Sequence, residues 1–260
     1  MDFFDGIMDP FRWLVSATMV WFHDVLGGIG LPPADGWSWT LAIVCLVLAI
    51  RAVLFPVSLR QIQAQRRMRL LQPELRKLQD KYRGKSDQLS RQAMAQEQMA
   101  LYKEHGTNPF SACLPVLIQV PFFFALFQVL SGIPAAARQD QGIGAMSHAQ
   151  VVQFDEASIF GAPLSASVLH GSAGDPVAVM GLTMVMILAM TASQFITQRR
   201  IMAMNAAAET TAAPFQRQQK IILYLLPLVF GVGGVLFPIG VLIYWTTTNL
   251  WTLVQQFAIK

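Results

Sequence analysis

Arg51 is the residue whose surroundings promise the most chemistry. It stands in the apolar run Trp37–Leu59, fourteen residues on from Ser38 when both are counted. A cation at the centre of a membrane helix costs roughly 2.5–3.5 kcal/mol on insertion scales, and more in simulations. Two readings fit. The side chain snorkels to the nearer interface along its aliphatic stem, or the charge serves water, a partner or a substrate. The second is the default for an intramembrane charge. Other apolar stretches carry polar groups too: Gln119 and Gln128; Thr191, Gln194 and Gln198, whose spacing puts them on one helical face; and Tyr244, Trp245, Thr246, Thr247, Thr248 and Asn249 in sequence. Hydrogen bonding between helices accounts for the Gln and Thr residues alone. With Arg51 added, a water-filled cavity open to one side accounts for all of them. Such groups can hold and hydrate a polar segment. They carry no nucleophile–base pair and no nucleotide motif. His148 and His170 lack metal spacing, and Cys45 and Cys113 read as inert thiols in or beside spans, so neither a metal nor a cofactor is expected.

The elements that must position these residues are membrane helices. The 260 residues are 54% hydrophobic and 13% charged, with mean hydropathy +0.45, which excludes an ordinary soluble domain. Five runs approach the ~20 residues a span requires: 38–59, 111–133, 177–197, 219–237 and 239–257. The last two are parted at Phe237-Pro238-Ile239-Gly240, a tight hairpin. Ile221–Phe237 gives roughly 25 Å of helix, shorter than the ~30 Å hydrocarbon core, and a short span thins the bilayer around it. Met180, Met184, Met186 and Met190, with Met202 and Met204 beyond, suit either a surface accepting varied apolar partners or gap-filling in a bundle. Residues 7–26 mix tryptophans and aliphatics with Arg12, His23 and Asp24. They predict an amphipathic interfacial helix with Pro10 at its start; the alternative is a sixth span. The expected class is an all-α integral membrane protein. It has five core transmembrane helices, with the N-terminal interfacial helix in 1–36 and a membrane core over 37–260 that carries a cytoplasmic helical hairpin.

Charge sets the expected topology. Of 19 Lys and Arg residues, eleven fall in 59–110 and four in 198–220. The positive-inside rule puts those loops and the C-terminus in the cytoplasm, and the N-terminus and 134–176 outside. The pI of about 9.3 then needs no DNA partner; contact with ribosomal RNA would fall on the basic loop. The start lacks a basic n-region, so no cleavable signal is expected. Within 59–108, Met68, Leu71, Leu75, Leu78 and Tyr82 form a helical seam. Pro73 fits a first turn, Gly84 a turn, and Ala95, Met99 and Tyr102 one face of a second helix over 86–105. The Gly-, Ala- and Ser-rich segment 134–176 predicts an irregular loop with one short interfacial helix.

Four stretches carry a resemblance: "IRAVLFPVSLRQ" around Arg51, "RMRLLQPELRKLQDKY", "MALYKEHGTNPFSACLPVLIQVPFFFALFQVL" and "LFPIGVLIYWTTTNLWTLVQQ". In residue types, order and spacing they resemble the YidC/Oxa/Alb family of membrane-protein insertases over about 7–258. The resemblance implies five core helices around a positively charged groove, open to the cytoplasm and inner leaflet and closed outside. Arg51 looks like the groove arginine, with Gln194 and Trp245 at groove-lining positions; Gln119, Thr191, Thr247 and Asn249 complete the expected groove. Phe122, Phe123, Phe124 and Phe127 on the second span and Leu226 on the fourth are the expected slide for a substrate's apolar segment. The resemblance also implies a non-enzymatic insertase and chaperone in a bacterial plasma membrane. Its partners would be nascent membrane proteins and the phospholipid bilayer, with ribosome and Sec translocon met through the cytoplasmic loops. Three departures stand out. No large domain precedes the first core span, as in Gram-positive and actinobacterial members. No lipobox cysteine lies near the start, so no lipid anchor is expected. The chain stops at Lys260 without a long basic tail, so either a tail is missing or ribosome contact depends on the two loops. The rival readings are an anionic-solute transporter with Arg51 as counter-charge and a lipid scramblase. Against the transporter, the spans show no inverted repeat and their polarity gathers on one side.

Overall fold

The computed structural model describes residues 2–85, 87–106, 114–169, 174–206, 225 and 233–258. Within them the chain is helical save for one small β-hairpin. Helix α1 spans Asp2–Gly28, α2 Gly36–Leu70, α3 Gln72–Lys81, α4 Gln88–Glu104, α5 Leu114–Arg138 and α6 His148–Glu156. Strands β1 (Ser158–Ile159) and β2 (Ala162–Pro163) pair antiparallel, and α7 (Pro176–Ala206) and α8 (Ile239–Ala258) complete the set. Three segments are long and apolar enough to cross a membrane: Gly36–Leu59, Ile118–Arg138 and Pro176–Arg200. Five were expected. The fourth expected span, 219–237, is described only at 225 and 233–237. The fifth forms a helix of 20 residues, but Trp245–Asn249, Gln255 and Gln256 keep it below the apolarity of the other three.

Packing is uneven along the bundle. Among the side chains described, the fully buried ones on α2 end at Val47, on α5 they begin at Ala125, and on α8 they end at Tyr244. Trp39, Leu46, Leu126, Leu130, Phe154, Leu164 and Ile239 belong to one core at the end away from α3 and α4. Arg51, Gln119, Gln194, Thr248, Asn249 and Thr252 sit beyond that core, toward the hairpin. α8 packs between α7 and α2 and also touches α5.

The segment after α5 is more ordered than its composition suggested. α5 itself runs to Arg138. Ser147 opens α6 with a capping box, its hydroxyl accepting from Gln150 N while Gln150 accepts from Ser147 N. Val151 and Phe154 then bury one face of α6 in the core. The segment just past β2 caps the start of α8: Ile239 N donates to Ala166 O at 2.9 Å and Gly240 N to Leu164 O at 2.8 Å. Two amide donors that a helix start leaves free are thereby satisfied. Gly36 meets the same region, since a Cβ there would lie 2.1 Å from Ser158 O.

α1 begins at Asp2, so Pro10 lies inside the helix rather than at its start. α1 packs on α2 and α5 through Met8, Val15 and Met19, and turns Trp13, Leu14, Trp21 and Val25 outward. The outward face carries the exposed Asp9 and Asp24 as well. The hairpin differs in detail as well. α2 continues unbroken to Leu70, and the first arm is completed by the short α3, with Pro73 in its first turn. Leu71 is fully buried, and Gly84 turns the chain at φ 83°. On α4, Tyr102 faces inward as expected, but Ala95 and Met99 are exposed. Glu97 takes the facing position instead, because Lys81 Nζ donates to both its carboxylate oxygens at 2.7 Å and Tyr82 Oη to one at 2.8 Å.

Candidate functional site: a polar seam around α8

Arg51 is the sixteenth residue of the 24-residue span Gly36–Leu59. Its Nη2 donates to Thr252 Oγ1 at 3.3 Å, and Thr252 Oγ1 donates in turn to Thr248 O at 2.9 Å. Among the described residues no carboxylate pairs with Arg51. Its guanidinium has five N–H donors, so it keeps unspent capacity. The half-buried side chain borders a cleft of about 20 Å³ with Leu54, Val57, Ser58, Ile118 and Gln119. That is room for about one water.

Gln119 Nε2 donates to Tyr244 Oη at 3.4 Å. Tyr244, Thr248 and Thr252 recur every four residues and so share one stripe of α8, which links to α5 through Gln119 and to α2 through Arg51. The neighbouring stripe faces α7. There Gln194 Nε2 donates to Asn249 Oδ1 at 3.3 Å, and Asn249 Nδ2 donates to Trp245 O at 3.0 Å. Thr247 folds back on its own helix, its hydroxyl donating to Ile243 O. Thr191 is half-buried on α7, one turn before Gln194. The Thr246 hydroxyl and the Gln128 side-chain carbonyl are buried without a protein partner, positions that water or a polar chain would satisfy.

The expected slide residues divide between two faces. Phe123 stacks on Trp245 with centroids 5.3 Å apart, and lies parallel to Phe127 at 6.4 Å. Phe237 closes the group edge-on to Phe127 at 5.4 Å and to Trp245 at 5.2 Å. These four rings cap the polar seam on the side of the packed core. Phe122 points away, edge-on to Phe11 of α1, and Phe124 is exposed. Leu226 and Cys113 lie outside the described residues, as does His170. Sequence reading singled out neither Tyr244 and Thr252 as partners nor Phe237 as a ring of this cluster. The four-residue register from Tyr244 to Thr252 was the available signal for the first pair. Among the described residues no group of His, Cys, Asp and Glu could hold a metal ion.

Long apolar helices, polar groups turned inward between them, and a packed end opposite a basic hairpin define a multi-pass helical membrane protein. A profile of the family described as "60Kd inner membrane protein" matches residues 32–260. The chain is 42% identical to a membrane protein insertase YidC of Streptomyces avermitilis over 97% of its own length and 57% of that protein. It is 41% identical to the one of Tropheryma whipplei over 98% of itself and 84% of the relative. To that of Mycobacterium tuberculosis it is 34% identical, over 98% and 72%. A solved structure, "Active YidC insertase crystal structure with the first transmembrane domain resolved", matches 99% of this chain and 47% of the other, with TM-score 0.54 and 25% identity. The chain belongs to the YidC/Oxa1 family of membrane protein insertases, a family of insertases rather than enzymes, and the relatives named above are bacterial. It spans little more than half the length of the Streptomyces relative.

Proposed function

We propose that this chain receives the polar flank of a nascent membrane protein on the seam around Arg51 and releases the adjoining apolar segment into the bilayer. The observation that carries the reading is a half-buried intramembrane guanidinium whose partner among the described residues is a neutral hydroxyl. A charge so placed is costly unless something else engages it. An acidic N-terminal segment entering from the cytoplasm supplies the missing counter-charge, and water in the seam lowers the desolvation cost of its other polar groups. Gln119, Thr191, Gln194, Thr247 and Asn249 offer hydrogen bonds along the same route. Trp245 with Phe123 and Phe127 forms the apolar margin past which the substrate's own span leaves; Leu226, expected on the same path, lies outside the described residues. Transfer of that span into hydrocarbon supplies the driving force, aided by the membrane potential.

In this reading the N-terminus is outside and the C-terminus inside, so the α3–α4 hairpin projects into the cytoplasm. Its basic surface suits a ribosome, and a Sec translocon would be met on the same side. The test is insertion of a single-span protein with an acidic N-terminal tail into proteoliposomes. Arg51→Ala is expected to lower protease protection of the tail severalfold and Arg51→Lys to keep most of it. Equal protection by wild type and Arg51→Ala would remove the charge from the mechanism.

A further inference from the structure

A second cavity, of about 800 Å³, lies at the end of the bundle away from the hairpin, beyond the Phe127–Phe237 contact. Its volume falls within the range of small-molecule sites, roughly 300–1,000 Å³. Its lining changes along its length. Phe127, Pro134, Ala135, Leu236 and Phe237 form an apolar part contributed by the ends of the spans. The polar part comes from the ordered segment after α5: Asp155, Ser165 and Ser167, with Arg138 at the close of α5. Between the two parts stands Ser131, whose hydroxyl is buried without a protein partner.

Arg138 and Asp155 are the two charged residues of the lining, and they pair neither with each other nor with another described residue. A cavity that is apolar where the spans end and charged where the connecting segment begins matches an amphiphile standing at the membrane interface. The two charges sum to zero, which favours a zwitterion over an anion. The Asp155 carboxylate can only accept hydrogen bonds, and a primary ammonium has the donors for it that a quaternary one lacks.

From this we propose that the cavity is a binding site for a phosphatidylethanolamine-type phospholipid. Its phosphate lies toward Arg138, its ammonium toward Asp155 and the serines, and an acyl chain along Phe127 and Leu236. The site lies across the Phe127–Phe237 contact from the seam at Arg51, shares those two rings with it, and its occupancy is read without a substrate.

The test is lipid retention by the purified full chain. Protein is exchanged into mixed micelles holding equal amounts of phosphatidylethanolamine, phosphatidylcholine and phosphatidylglycerol, and the retained lipid is counted by native mass spectrometry. Wild type is expected to retain the ethanolamine lipid in excess. Asp155→Asn leaves the site cationic and shifts the preference to phosphatidylglycerol, a change of roughly tenfold in relative retention if one charge-assisted hydrogen bond is lost. Arg138→Gln reduces retention of all three lipids. Ser131→Phe fills the cavity and removes the bound lipid while thermal unfolding in lipid-free detergent stays near that of wild type. Indifference of the wild type to headgroup, or unchanged preference in Asp155→Asn, overturns the proposal. Strong retention of phosphatidylglycerol by wild type would do so as well.

Discussion

Thr252 receives the Arg51 guanidinium and passes a hydrogen bond to the Thr248 carbonyl, so the arginine is braced against α8 by a single neutral group. The brace is long at 3.3 Å and half-exposed. Thr252→Val is therefore expected to destabilise the protein by only about 0.5–1.5 kcal/mol, the ordinary net worth of a hydrogen bond. Arg51→Met separates function from stability more sharply. Replacing a half-buried charge by a side chain of similar length removes a desolvation penalty that the fold does not recover. Thermal unfolding in detergent should show Arg51→Met at least as stable as wild type, while the insertion assay shows it impaired. A strong loss of stability in Arg51→Met would mark Arg51 as a structural brace instead. The position of Arg51 was legible because a charge in an apolar run contrasts with its neighbours. Its partner was not, since three consecutive threonines and Thr252 look alike until the helix phase relative to α2 and α5 is known.

At the scale of elements the hairpin is held by polar contacts at both ends. Lys81, Tyr82 and Glu97 meet near the turn, and His105 lies 3.5 Å from Glu74 at the base. The Lys81 hydrogen bond, with that of Tyr82, holds the Glu97 carboxyl below its ordinary range. At the start of α4, the Ser90 backbone N–H does the same for Asp87. A depressed carboxyl pKa contributes stability above the unfolded-state value, and that stability is lost as pH falls through the folded-state value. The hairpin is thus expected to keep its closed distance at neutral pH and to loosen on acidification below about 4.5. Spin labels at the exposed Lys77 and Gln92 would report this as a broadened distance distribution. Glu97→Gln should broaden it at pH 7, and acid should then add little. The seam through Leu71, Leu75, Leu78 and Tyr82 was readable from its spacing. The face of α4 was misread because hydrophobicity pointed to Ala95 and Met99, whereas the charged Glu97 makes the contacts across.

For the whole molecule, the segment between α5 and α7 decides the shape: it fills the end away from the hairpin and leaves the polar seam at the other. Its Gly- and Ser-rich composition resembled a loose loop, and the pairing of Leu164 and Ala166 with the start of α8 joins residues over seventy positions apart, which no local pattern announces. Gly36→Ala should drive α2 from Ser158 and destabilise by more than the 1–3 kcal/mol typical of overpacking, since backbone rather than a flexible side-chain end is struck. Limited proteolysis of 139–169 measures the consequence. Charge sets the direction in which this end is expected to face. Eleven of 19 basic residues gather in 59–110, and Arg138 alone lies in 134–176. Inverting the molecule would carry that basic block across the membrane against the positive-inside bias. Single cysteines at the exposed Gln141 and Gln92, in a chain with Cys45→Ala and Cys113→Ala, bracket α5 between them. A membrane-impermeant maleimide applied to intact spheroplasts should label Gln141→Cys at once and Gln92→Cys only after lysis. Labelling of Gln92→Cys in intact spheroplasts would invert the topology and place Arg51 nearer the outer face, where a cytoplasmic chain could not reach it first. Equal labelling of both before lysis would mean that α5 does not cross the bilayer, and the seam beside it would then not be an intramembrane one.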